Sequence, residues 1–128
     1  MNQRPGLYIL HSEDKGRGVY TSQEIDADEI IEVCPVLVLP PHELSIIHKT
    51  SLHDYYFLWG VEQNQCAIAL GFGSLYNHKN PPNAIFEMDY DAQTIDIRST
   101  RKIAPGDEIT IDYHAGDEGG LQLWFDPQ

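Results

Sequence analysis

Short apolar runs recur along the whole chain, separated by turn residues at intervals too small for a succession of ordinary helices. Runs rich in β-branched and aromatic residues occupy positions 7–11 (LYILH), 18–22 (GVYTS), 29–33 (EIIEV), 36–39 (VLVL) and 55–59 (YYFLW). The series continues at 66–70 (CAIAL), 84–88 (AIFEM), 94–98 (TIDIR) and 108–113 (EITIDY). Segments of this length and composition, bounded by turn formers, predict strands. Between AIFEM and TIDIR, where apolar and polar residues alternate, DYDAQ (89–93) predicts a hairpin turn. APGDE (104–108) predicts a tight turn ahead of the last strand. Only 42–50 (HELSIIHKT), behind Pro40 and Pro41, suits a short helix. No repeat, low-complexity segment or linker interrupts the series, so the expectation is one mainly β domain with a single helical insert.

Composition narrows the class. At 128 residues and 41% apolar content, a single modest core is affordable. Cys34 and Cys66 each lie in an apolar run, which suits small core residues in a reducing compartment, although one bridge between them stays open. The N-terminal MNQRPGLYIL has no long apolar segment, and no stretch approaches membrane-spanning length, so a cytoplasmic or nuclear protein is expected rather than a secreted or membrane one. The net charge of −12, from eight basic and twenty acidic residues, argues against a surface that tracks nucleic-acid phosphates. The same acidic field would steer a Lys/Arg-rich partner towards the protein, or serve solubility alone.

Several familiar chemistries are missing. KGRGVY (15–20) contains Gly-x-Gly, but the third glycine of a dinucleotide fingerprint is absent and no long helix follows. Those glycines read either as a hairpin turn or as bare backbone that a ligand can approach closely. The six histidines show neither HExxH spacing nor pairing with cysteines, so no metal is expected. There is no nucleophile elbow and no Walker loop.

Three stretches in one order supply a different pattern: GRGVY at 16–20, NHKNPPN at 77–83 and GDEITIDY at 106–113. Together they resemble the SET domain of protein lysine methyltransferases. Members carry Gly-x-Gly with an apolar and an aromatic residue, then Asn-His-x-x-x-Pro-Asn, then Gly-Glu-Glu-(Leu/Ile)-Thr-x-x-Tyr. The likeness runs from about residue 7 to 115 and is similar to minimal, small viral members of the family, which share a run like ALGFG (69–73) ahead of the Asn-His step. The resemblance implies a β-clip fold of several small sheets with a knot-like C-terminal threading. It implies a single domain over 1–128, with the tail 116–128 closing the site. Its activity would be S-adenosylmethionine-dependent methylation of a lysine in a basic protein or histone-like tail. A silent module of the same fold that only holds basic peptides is the competing expectation.

The same resemblance assigns roles to individual positions. Gly16, Arg17, Gly18, Asn77 and His78 would hold S-adenosylmethionine, with Asn77 at the methionine end and the backbone around His78 at the adenine. An asparagine amide offers both donor and acceptor to such a zwitterion, while Pro81, Pro82 and Asn83 would stiffen the turn that carries it. Tyr55 would contribute from the variable insert, and Trp124 in LQLWF (121–125) would cover the adenine. Tyr113 is the expected catalytic residue, beside the path of the transferred methyl. Tyr56, Tyr76 and Ile111 would line the lysine channel, although Tyr20 and Tyr76 suit a core equally well. Ile111, two positions before Tyr113, offers no hydroxyl to anchor a water or the amine, which implies multiple methylation. Two departures stand out. Lys79 and Asn80 replace the Ser-Cys common after Asn-His, and the cysteine-rich zinc-binding segment that follows many SET domains is absent. The target lysine and the oligomeric state, a homodimer included, are not encoded in any of these motifs.

Overall fold

The computed structural model describes residues 2–13 and 16–112. Among these residues, strands β1 (Leu7–Ser12), β2 (Gly16–Thr21), β9 (Glu108–Ile111) and β6 (Asn77–His78) form a four-stranded sheet in that order. The second sheet has the order β4 (Tyr56–Trp59), β5 (Gln65–Ala69), β3 (Ile30–Leu39), β8 (Thr94–Ser99) and β7 (Ala84–Asp89). One α-helix, α1 (Pro41–His48), and two 3₁₀ turns, Ser51–Asp54 and Gly73–Leu75, complete the described elements. The protein is therefore mainly β with several strands in separate sheets, as expected. Tyr113, the tail 116–128 with Trp124, and any knot-like threading of that tail lie outside the described residues.

Most strands fall where the apolar runs predict them; the two-residue β6 lies outside those runs, and one expectation is corrected. The runs at 29–33 and 36–39 form a single ten-residue strand, β3, in spite of Pro35. Proline cannot donate to a ladder, but Pro35 stands where β3 changes partners. Before it, Ile30–Pro35 pair with Thr94–Arg98 of β8; after it, Val36–Leu39 pair with Cys66–Ala69 of β5. The exchange of neighbours spares the missing N–H, and the Pro35 carbonyl still accepts from Leu70 N at 2.8 Å.

Helix α1 begins one residue earlier than the composition suggests, because Pro41 occupies its first turn, where a missing N–H costs nothing. Pro40 is held extended ahead of it, as a residue before proline prefers. Leu44 and Ile47, three positions apart, turn towards a small cluster of Tyr56, Leu58 and Cys66 on β4 and β5. The helix ends at His48, and the Thr50 hydroxyl then accepts from Leu52 N at 3.1 Å, which starts the next turn.

The main core lies between the sheets. Val19 and Ile109, paired across β2 and β9, join Ile111, Ile25, Ile31, Ile95, Ile97 and Ile103, all essentially closed to solvent. The β7–β8 hairpin turns at the predicted place, with Ala92 N donating to the Asp89 carboxylate at 3.0 Å. The 104–108 turn is also present, closed by Asp107 N to Ala104 O at 3.1 Å. Cys34 and Cys66 are buried as free thiols in different clusters.

Candidate active site

Strand β9 brings the three sequence motifs to one place. Its Glu108 and Ile109 pair with Tyr20 and Val19 of β2, and its Thr110 and Ile111 pair in parallel with Asn77 and His78 of β6. The Gly-x-Gly segment and the Asn-His step thus flank the GDEITIDY strand on opposite edges. The ladder extends past β6, because Lys79 N donates to Ile111 O at 3.1 Å.

The Asn77 side chain ties these strands together. Its Nδ2 donates to the Arg17 carbonyl at 3.1 Å and to the Glu108 carboxylate at 2.7 Å. Both N–H groups of the amide are thereby committed, so Oδ1 is the atom left to meet a ligand, and it can only accept. This refines the expectation of a two-way donor and acceptor: the asparagine suits an ammonium group far better than a carboxylate. Gly18 lies within strand β2, against the same two side chains. A Cβ there would collide with the Glu108 carboxylate and stand 2.8 Å from Asn77 Nδ2. At Gly18 the bare backbone makes room for the protein's own Glu108 and Asn77 side chains, whereas Gly16 opens the strand at the hairpin with φ of 72°.

Asn83 does more than stiffen a turn. Buried beside β9, it donates from Nδ2 to Glu108 O at 2.8 Å and accepts at Oδ1 from Thr110 N at 2.8 Å. One side-chain amide stands in for a strand residue and holds the backbone on either side of Ile109. His78 is half-buried, with Nδ1 3.7 Å from the Asp112 carboxylate. Arg17, the second residue of β2, is exposed, so its side chain is accessible to an anionic group.

The remaining candidates are placed differently. Tyr55 is exposed at the end of the 3₁₀ turn that precedes β4. Tyr56 is buried in the cluster under α1, with its hydroxyl 3.3 Å from His48 Nδ1. Burial raises the Tyr56 hydroxyl pKa, reinforced by the neighbouring Cys66. Tyr76 is 1% exposed and donates its hydroxyl to Glu32 at 2.7 Å. Its pKa is also raised, by burial first and then by the charge of Glu32, so it stays a neutral donor. Ile111 is fully buried in the main core. Neither tyrosine shares the cluster of Gly18, Asn77 and Glu108, while Tyr20 faces that cluster as the register partner of Glu108 and stacks on Tyr8 at 5.8 Å between ring centroids.

Within the GDEITIDY motif, the sequence signal for Glu108 is an acid at the head of a strand otherwise made of Ile and Thr. Glu32 left a similar trace, as a carboxylate inside the apolar run IIEVC.

The SET domain profile matches residues 16–114, a span that contains all of these motifs. The chain belongs to the SET-domain family. A histone-lysine N-methyltransferase of Schizosaccharomyces pombe, H3 lysine-37 specific, is 32% identical over 126 residues, covering 98% of this chain and 80% of that protein. The crystal structure of a candidate histone methyltransferase from Plasmodium falciparum superposes with a TM-score of 0.66 at 28% identity, covering 95% of this chain and 99% of that one. This SET domain is accordingly a protein-lysine methyltransferase by kinship, in a family whose members use S-adenosylmethionine. No helix among its described residues is long and apolar enough to cross a membrane.

Proposed function

We propose that this SET domain binds S-adenosylmethionine across Gly16, Arg17, Gly18, Asn77 and His78, and methylates a lysine in a basic protein segment of the histone-tail kind. The observation that carries the reading is the clamp on Asn77. With both amide N–H groups held by Arg17 O and Glu108, Oδ1 is oriented as an acceptor for the ammonium of an amino-acid ligand. The exposed Arg17 guanidinium can meet the carboxylate of the same ligand. Bare backbone at Gly18 keeps this junction compact, since any larger residue would force Asn77 and Glu108 apart. The donor set therefore fits the methionine end of the cofactor.

When bound, the cofactor supplies a methyl group on a positively charged sulfur. The lysine must present a neutral nitrogen in line with that carbon, because a protonated amine has no lone pair for the new N–C bond. A free lysine has a pKa of about 10.4, so only about one in a few thousand is neutral at pH 7. An apolar channel, together with a positively charged neighbour, lowers that pKa and enriches the reactive form. The lysine ammonium must lose its proton to solvent before transfer, so that the methylated nitrogen takes on the positive charge that the sulfur would give up. Tyr113 is assigned by family likeness to hold the reacting groups in line through its hydroxyl, without acting as a base. Tyr55 and Trp124 would complete the cofactor pocket by the same likeness. For the lysine, the net charge of −12 favours a basic segment.

The direct test is incubation of the purified protein with labelled S-adenosylmethionine and a panel of basic proteins, core histones included. Transfer to protein that survives acid precipitation and disappears in Tyr113→Phe is the expected result. Calorimetric affinity for the cofactor that is unchanged in folded Asn77→Ala would remove this asparagine from the site.

A further inference from the structure

Behind the Asn-His step lies a carboxylate that the proposed chemistry does not use. Glu32, on β3, is 2% exposed. Its Oε1 accepts from the Tyr76 hydroxyl at 2.7 Å, and its Oε2 accepts from Phe72 N at 3.0 Å and from Gln3 Nε2 at 3.0 Å. These donors come from three separate parts of the chain: the N-terminal segment, the turn after β5, and the residue immediately before Asn77. Glu32 itself belongs to the five-stranded sheet, whereas Asn77 begins β6 of the four-stranded sheet. The carboxylate therefore bridges the two sheets at the point where the chain enters the Asn-His step.

The local sequence is shaped around this contact. Gly71 has φ of 64°, and a Cβ there would run into Glu32 Oε2. The turn Gly71–Phe72–Gly73 wraps the acid closely enough to offer it a backbone N–H. Gly73 in turn packs against Ala69 and Cys34, with no room for a Cβ. A buried acid in an apolar strand is costly unless its lone pairs are filled. Here each oxygen has a donor, so the acid is a fixed anchor for the segment 71–77.

We propose that Glu32 is a positioning residue for the cofactor, setting the placement of Asn77 through the Tyr76 hydroxyl and the 71–73 turn. This rests on the assignment of Asn77 to the cofactor site. The two requirements on Asn77 are complementary. From the ligand side its amide is oriented by Arg17 and Glu108; from the core side its backbone is held by the residue before it. Loosening the second lets the first drift, because Tyr76 and Asn77 share one peptide bond.

The test is a double-mutant cycle on the full chain, with Glu32→Gln, Tyr76→Phe and their combination. The readouts are S-adenosylmethionine Kd by calorimetry, peptide KM at saturating cofactor, and Tm. Each single variant is expected to weaken cofactor affinity about tenfold, and the pair no more than either alone, because both remove the same link. Peptide KM should stay within twofold. As a control for general loosening, Ile103→Val and Ile103→Ala alter a buried core side chain whose backbone pairs with Ile25 rather than with β3, and a Tm loss matching that of the cycle variants should leave Kd unchanged. Single variants that fold and bind as wild type does, effects that multiply in the double variant, or an equal Kd change in the matched control would each overturn the proposal. If Glu32→Gln does not fold, Tyr76→Phe decides, since it leaves the two donors on Oε2 intact. Wild type without affinity for S-adenosylmethionine would remove the cofactor assignment and this inference with it, whereas wild-type binding with unaffected variants would remove this inference alone.

Discussion

Replacing Gly18 by alanine adds one methyl group at the point where all three motifs meet. The new carbon would overlap the Glu108 carboxylate and stand 2.8 Å from Asn77 Nδ2, so one of the two side chains must move away. The contact then lost is the 2.7 Å bond between them. A hydrogen bond to an ionised carboxylate contributes about 1.5–3 kcal/mol. If that energy serves to hold Oδ1 towards the ligand, cofactor affinity falls roughly ten- to a hundred-fold. The fold should suffer much less. Both displaced groups are side-chain ends rather than backbone, and alanine in an extended strand restricts the unfolded chain, which returns about 0.4–1 kcal/mol. Calorimetric titration with S-adenosylmethionine alongside a thermal melt separates the two effects. The expected pattern is a Tm within a few degrees of wild type and a clearly raised Kd. A folded Gly18→Ala protein with cofactor affinity within twofold of wild type would refute the idea that the clamp on Asn77 organises the site.

Other consequences can be checked in the same preparations. Asn83→Ala leaves Thr110 N–H and Glu108 C=O without their buried partner, at about 1–3 kcal/mol for each group, so urea denaturation should show a lower midpoint with an unchanged slope. Because the chain carries a net charge of −12, peptide KM should rise with ionic strength for a Lys/Arg-rich substrate, and a flat dependence would exclude steering by the acidic surface. Wild type should carry a lysine at least to the dimethyl form, as judged by mass spectrometry; arrest at one methyl on long incubation would move control of the product away from Ile111. Ile111→Tyr should favour monomethyl product, but its full burial adds an overpacking cost of about 1–3 kcal/mol, visible as a lowered Tm.

Short runs of β-branched and aromatic residues between turn formers carried most of the strand list, because composition and turn chemistry are local information. The helix after Pro40, the 89–93 hairpin turn and the 104–108 turn were legible for the same reason, since Pro fixes its own backbone, Asp bonds to nearby backbone and Gly admits the positive φ that turns need. Family likeness supplied the grouping of Gly18, Asn77 and the GDEITIDY strand, and tertiary structure supplied the way they touch. That β9 lies between β2 and β6 depends on pairings across more than thirty residues, which no local pattern encodes. The continuous strand through Pro35 was hidden likewise, as proline is tolerated there only because β3 changes neighbours at that residue. Side-chain commitment is decided last. Asn77 reads as both donor and acceptor in sequence, and becomes an acceptor once Arg17 and Glu108 take its N–H groups. Tyr76 reads equally as channel or core and Tyr56 as channel, and packing buries both. Glu32 shows the limit most plainly: a charged residue in an apolar run is an anomaly in sequence, and only the fold brings Gln3, Phe72 and Tyr76 around its two oxygens, because those donors are remote from it along the chain.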